Sequence, residues 1–168
     1  MRLIISLVVF MLVHLNSQSE VSTLDHIPGF VLWDADTVNA AADRLEKELG
    51  DKVLVYETIG NYRGHSMYLV LRGRTGTAEY HVNESDFQIG YRGKATFVIG
   101  GEIVDRRKKT ETQYRGSAIK GGKSYIVGPA DVLHVPPSTP HQLLINPAEP
   151  YMYLLFKLDE DADAYKGD

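Results

Sequence analysis

The chain has no cysteine. That absence excludes disulfides, thiol catalysis and cysteine-ligated metal, so any metal centre must be built from imidazole and carboxylate. There is one tryptophan, and no apolar run after the first fifteen residues is long enough to cross a bilayer, which takes about 20 residues. Basic residues are in deficit, 18 against 22 acidic ones, giving a formal charge of −4. A surface of that sign attracts neither nucleic acid nor anionic membrane. Hydrophobic residues at 43% and charged ones at 24% describe an ordinary globular chain, and 168 residues suffice for one domain and one core.

The N-terminus reads differently from the rest. Arg2 precedes the apolar run LIISLVVFMLVHL, and Asn16, Ser17, Gln18 and Ser19 follow with the small and polar residues of a cleavage site. The pattern predicts a secretory signal over residues 1–19, a secreted or periplasmic mature protein, and no membrane contact after cleavage. Removal of Arg2, the one charged residue before Glu20, takes the formal charge from −4 to −5. His14 belongs to this segment and to no site.

Residues 20–60 read as an arm and a helix. Ile27, Phe30, Val31, Leu32 and Trp33 are apolar enough to need a surface, either the outside of the domain or a second subunit. Asp36 is the predicted cap of a helix TVNAAADRLEKEL, in which Val38, Ala41, Ala42, Leu45 and Leu49 recur at helical spacing before Gly50 stops it. From Lys52 the pattern turns to short β-type runs: 53–59, 66–72, 77–82, 86–92, 94–100, 102–106, 124–127, 131–135, 142–146 and 151–158. Short strands at roughly ten-residue spacing predict a sandwich or closed barrel over 61–158. Gly100-Gly101 predicts a hairpin turn. The polar stretch 107–123 reads as a long loop, and 159–168 as an acidic tail.

Two stretches carry the chemistry. In HVNESDFQIGYRG (81–93), strand parity puts His81 and Asn83 on one side; after a turn at Glu84-Ser85, Asp86 and Gln88 share a side. In GPADVLHVPPSTPHQLLIN (128–146), two prolines stop a strand and His141 follows Pro140 at a corner, facing the first stretch across the barrel. Buried polar groups cost several kcal/mol unless paired or bound to something. Two histidines and a carboxylate with open positions form a facial set that holds iron, zinc or manganese, so His81, Asp86 and His141 are the predicted ligands of a divalent ion. His134 reads as a strand histidine of the scaffold, and His65 is a spare candidate. Arg72 and Arg115 are read as a substrate clamp or as rim and solvated arginines. Tyr151 and Tyr153 share one strand face, which core packing explains as well as pocket lining does.

These residues resemble the cupin superfamily. Its first motif runs Gly, five residues, His-x-His, three or four residues, Glu, six residues, Gly; here it is matched by His81, Asn83, Asp86 and Gly93. Its second runs Gly, five residues, Pro-x-Gly, two residues, His, three residues, Asn; here it is matched by Gly128, Pro136, His141 and Asn146. The chain departs from the pattern in having Asn83 for the second His, Asp86 for the Glu one position nearer, and Pro136-Pro137-Ser138-Thr139 before Pro140. It resembles more closely a group of exported single-domain cupins with a helix before the barrel and an RG-S-x-I-x-GG loop, present as Arg115 to Gly122. The resemblance implies an all-β double-stranded β-helix, the cupin jelly roll, with one N-terminal helix, and a homodimer paired through N-terminal segments. It also implies a small-molecule ligand or substrate, with Gln88, Asn83, Tyr153 and Arg72 to bind it. The superfamily spans dioxygenases, isomerases, lyases and pure binding proteins, so fold does not choose the reaction. A metal-dependent enzyme, a non-catalytic binder and a metal-free isomerase or lyase using a histidine base all stand at this point.

Overall fold

The structure, a computed structural model, describes residues 27–161. The predicted signal segment and residues 162–168 of the tail lie outside the described residues. Ile27–Phe30 make a turn closed by the Phe30 N–H donating to the Ile27 carbonyl at 3.0 Å. The helix, the sheets and the site all belong to the compact unit Val31–Asp168.

The helix, α1 (Ala35–Leu49), begins before its predicted cap. Asp34, not Asp36, is the N-cap, accepting the Thr37 N–H at 2.8 Å on Oδ1. Asp36 instead lies in the first turn, where an acid complements the helix dipole. In the sequence Asp-Ala-Asp either acid satisfies the rule, and only backbone geometry separates them. Ala41, Ala42, Leu45 and Leu49 form the buried stripe and pack on Val55, Leu69, Leu71 and Met152. Trp33 is half-buried against this cluster, whereas Val31 and Leu32 of the arm are exposed.

Thirteen strands follow: β1 (Leu54–Tyr62), β2 (His65–Arg72), β3 (Ala78–His81), β4 (Glu84–Arg92), β5 (Ala95–Ile99), β6 (Glu102–Val104), β7 (Arg107–Lys108), β8 (Gln113–Gly116), β9 (Ala118–Lys120), β10 (Lys123–Val127), β11 (Val132–Val135), β12 (His141–Leu144) and β13 (Tyr151–Asp159). They form a five-stranded sheet in the order β1-β2-β13-β4-β11, a six-stranded sheet β10-β5-β12-β3-β8-β7, and a ribbon β6-β9. Val70, Tyr151 and Tyr153 from the first sheet and Phe97, Val127 and Leu143 from the second share one buried cluster, so the core lies between the sheets. The fold is the double-stranded β-helix jelly roll. The ladders make two facing sheets rather than one closed barrel. The helix covers the outer face of the five-stranded sheet. β1 pairs with β2 from Leu54 to Tyr62, with an irregularity between Thr58 and Gly60.

Two local expectations are corrected. The stretch 107–123 is not a loop: it contributes β7, β8 and β9, and β8 pairs with β3 in the register Glu79↔Arg115 and His81↔Gln113. Its sequence hides the strand because the outer face is polar and aromatic, with the Arg106 guanidinium 4.2 Å from the ring centres of both Tyr80 and Tyr114. Gly100-Gly101 does turn the chain, at φ 75° and 72°, but β6 then pairs with β9 and not with β5. Both flanks of β5 are already taken, by β10 and β12.

The corner before His141 is fixed by Ser138, which holds φ 56°, a left-handed conformation unusual outside glycine. It stands where the cupin pattern has Gly. Its N–H donates to the His81 carbonyl at 2.6 Å and its hydroxyl to the Val82 carbonyl at 3.1 Å. These bonds offset the strain and tie the start of β12 to the end of β3. The two site histidines are thereby held side by side.

Candidate functional site

Parity selects the site. On β3, Glu79 and His81 point inward. The chain then bends at Val82-Asn83, and β4 is already running at Glu84, so Glu84, Asp86 and Gln88 share the inner face. The turn expected at Glu84-Ser85 lies one residue pair earlier, at Val82-Asn83. That shift brings Glu84 into the site and takes Asn83 out: its amide donates to Asp159 Oδ1 at 2.8 Å and it does not line the cavity. His141 opens β12 directly opposite Glu79 of β3. His81 and His141 are therefore neighbours in one sheet, and Asp86 is what reaches them from the other. The expectation that the two histidine stretches face each other across a barrel is corrected accordingly.

The inner face of β13 carries Tyr151, Tyr153, Leu155 and Lys157 at period two, grading from core aromatic to cation. Together these elements wall a cavity of about 660 Å³ that includes Arg72, Asp86, Gln88, His141, Tyr153 and Lys157. His81, Asp86, Gln88 and His141 are each at most 5% exposed.

Hydrogen bonds at the back of each imidazole set its tautomer. His141 Nδ1 donates to the Thr139 carbonyl at 3.0 Å, and His81 Nδ1 donates to Oε1 of Gln113. The Gln113 amide is itself oriented, taking Arg115 Nη1 at 3.2 Å on its oxygen and giving its nitrogen to Glu84 Oε1 at 3.4 Å. With both protons on Nδ1, both Nε2 lone pairs face the same atom. Oδ2 of Asp86 lies 3.6 Å from His81 Nε2 and 3.5 Å from His141 Nε2. Ligand atoms around an ion with bonds of about 2.1 Å sit roughly 3–3.5 Å apart, close to each of these two separations. Glu79 with both histidines, and Glu84 with His81 and Asp86, form overlapping groups whose ligand atoms lie within 4.8 Å of one another.

Lys157 enters the same space. Its Nζ is 2.5 Å from Asp86 Oδ1, 2.6 Å from Glu84 Oε1 and 3.5 Å from His81 Nε2. Burial alone would raise the Asp86 carboxyl. The polar and charged groups around it, His141, His81 and Lys157, reverse this and hold it well below the usual carboxylate range. Burial likewise lowers Lys157, and Asp86 and Glu84 together push it above its ordinary value.

Behind them runs a second array. Glu79 is shared by Arg72, at 2.9 Å, and Arg115, at 3.1 Å; these guanidinium groups hold it ionised against burial. Arg72 Nε also donates to the Tyr153 hydroxyl at 2.9 Å. Arg72 and Tyr153 are thus wall residues already paired with each other. Gln88 is different: its Oε1 is buried and, among the described residues, accepts no hydrogen bond.

His134 is exposed and stacks on Phe87 with ring centres 4.4 Å apart, as a scaffold histidine should. His65 stacks on Tyr62 at 4.8 Å and does not line the cavity. Sequence reasoning passed over Glu79, Glu84, Gln113 and Lys157. Glu79 could have been found by parity with His81, and Lys157 by parity with Tyr151 and Tyr153.

No family model matches the chain, and no curated protein matches it in sequence. Among solved structures, a protein from Thermus thermophilus superposes with a TM-score of 0.52 at 12% identity, covering 77% of this chain and 98% of its own. A Klebsiella pneumoniae protein described as containing a double-stranded β-helix domain gives 0.47 at 10% identity, over 67% and 83% of the two chains. A Ralstonia eutropha JMP134 protein described as a mannose-6-phosphate isomerase candidate gives 0.45 at 15% identity, over 66% and 88%. At such identities the likeness is one of fold alone.

Proposed function

We propose that the protein binds a divalent metal ion through His81, Asp86 and His141, and that it acts as a metal-dependent oxygenase or isomerase on a small polar organic molecule held in the adjoining cavity. The observation that carries this reading is the convergence of two Nε2 lone pairs on one carboxylate oxygen, with both Nδ1 protons tied back to oxygen acceptors. Three lone-pair atoms facing one another repel unless a cation lies among them. The donors, two imidazoles and a carboxylate, suit iron, manganese or zinc. When bound, such an ion supplies a Lewis acid that polarises a substrate oxygen. Gln88, with its buried free acceptor, orients a substrate hydroxyl or amine. Arg72 and Glu79 fix the wall, which Tyr153 also lines.

The ammonium of Lys157 favours a second reading, in which it stands in for the metal and the protein is a non-catalytic binder. The two separate by experiment. If the metal reading is right, thermal stability of chelator-stripped protein rises on adding manganese, iron or zinc and falls again with excess chelator. A melting curve indifferent to both, alongside ligand-induced shifts without turnover, selects the binder.

Export and dimerisation belong to the same proposal. Export rests on Arg2 and the apolar run after it, and is checked by N-terminal sequencing of the secreted product. Dimerisation rests on the exposed Val31 and Leu32 of the arm, and is checked by sedimentation.

A further inference from the structure

A second cavity, of about 530 Å³, adjoins the site on the side of β7 and β8, and the two share Thr77, Lys109, Arg115 and Ser117 in their walls. Its remaining lining is strongly basic, with Arg107 and Lys108 beside Lys109. In a chain with an excess of acid this is an anomaly. It is sharpened by register: Arg107 on β7 stands directly opposite Arg115 on β8. Like charges in directly facing cross-strand positions destabilise a sheet, so the arrangement calls for an anion.

The carboxylates present do not supply it. Lys108 is neutralised by Glu111 at 2.6 Å. Arg115 shares the single carboxylate of Glu79 with Arg72. Arg107 and Lys109 have no acidic partner within 4.0 Å among the described residues. The turn that carries Lys109 is held in place, because its N–H and that of Thr110 both donate to the Gln113 carbonyl, at 2.8 and 3.2 Å. The joined cavities are therefore polarised: carboxylates and imidazole lone pairs at the inner end, unpaired cations at the outer end.

We propose that this outer bay is a subsite for a phosphate group, so that the ligand is a small polar molecule carrying a phosphate monoester. Two unpaired cations match the charge of about −2 that such a group carries at neutral pH. The hydroxyl of Thr77 adds a donor at the neck between the cavities. The identity of the ligand's other end rests on the metal-site reading above, while the phosphate subsite does not require a metal.

The test is titration of chelator-treated protein with inorganic phosphate by calorimetry, at ionic strength held constant with chloride. Wild type binds phosphate saturably, and Arg107→Gln/Lys109→Gln weakens it by at least about tenfold, since each lost charge-assisted contact is worth about that factor. Arg107→Lys retains binding. Lys94→Gln/Lys123→Gln, which removes the same charge elsewhere on the exposed surface, leaves affinity unchanged. Because the protein is chelator-treated, phosphate binding is read without a metal, and failure of the subsite is separate from failure of the metal site. The proposal is overturned if wild type shows no phosphate binding beyond the chloride control. It is equally overturned if the Arg107/Lys109 variant binds as tightly as wild type, or if the Lys94/Lys123 variant loses as much.

Discussion

Half-buried Lys157 and buried Asp86 form a pair, Nζ to Oδ1 at 2.5 Å, in which one carboxylate oxygen is held by the ammonium and the other faces two histidine nitrogens. The lysine therefore competes with any cation for the same carboxylate. Lys157→Met should destabilise the metal-free protein by about 3 kcal/mol, because Asp86 and Glu84 are left without their counter-charge. It should also raise metal affinity, because the competing cation is gone. Denaturant unfolding in chelator checks the first effect and calorimetric metal titration the second.

The buried hydroxyl of Tyr151 predicts a loss of stability at alkaline pH. Its hydroxyl is buried without a partner among the described residues, and burial, followed by the nearby Tyr153 and Asp131, pushes its pKa up. Tyr153 is raised too, chiefly by burial. A tyrosine whose folded pKa exceeds its unfolded value contributes stability that is whole below about pH 10 and is lost as pH rises further, because only the unfolded chain gives up its proton there. Tyr151→Phe should cost nothing at pH 7, or stabilise by about 1 kcal/mol, and should flatten the decline above pH 10. Unfolding curves across that range decide the matter.

At the helix start, Asp34→Ala should lose the stability an N-cap supplies, while Asp36→Ala loses less, since it forgoes only a dipole interaction. Equilibrium unfolding of the two single variants measures the difference, and equal losses would return the cap to Asp36.

The legible part of the sequence was what strand and helix periodicity encode. The stripe Ala41, Ala42, Leu45 and Leu49, most strand positions, and the pairing of His81 with Asp86 and His141 all follow from spacing and from the resemblance to cupin motifs. What stayed hidden depends on tertiary register. Asn83 and Glu84 exchange roles because the bend falls at Val82-Asn83, and nothing local distinguishes that from a bend at Glu84-Ser85. Gln113 and Arg115 lie in a stretch whose outer face carries no apolar alternation, so β8 is visible only once β3 is there to pair with it. Lys157 reaches the histidines from a strand far along the chain, joined by the β13–β4 ladder that sets Lys157 opposite Asp86.

The most direct measurement is an anomalous diffraction map of crystals grown with manganese or zinc. A single peak about 2.0–2.3 Å from His81 Nε2, His141 Nε2 and Asp86 Oδ2, lost in His81→Ala and His141→Ala, with Lys157 displaced from Asp86, is the predicted result. A map without a peak there at saturating metal, with Lys157 still bonded to Asp86, would contradict the account.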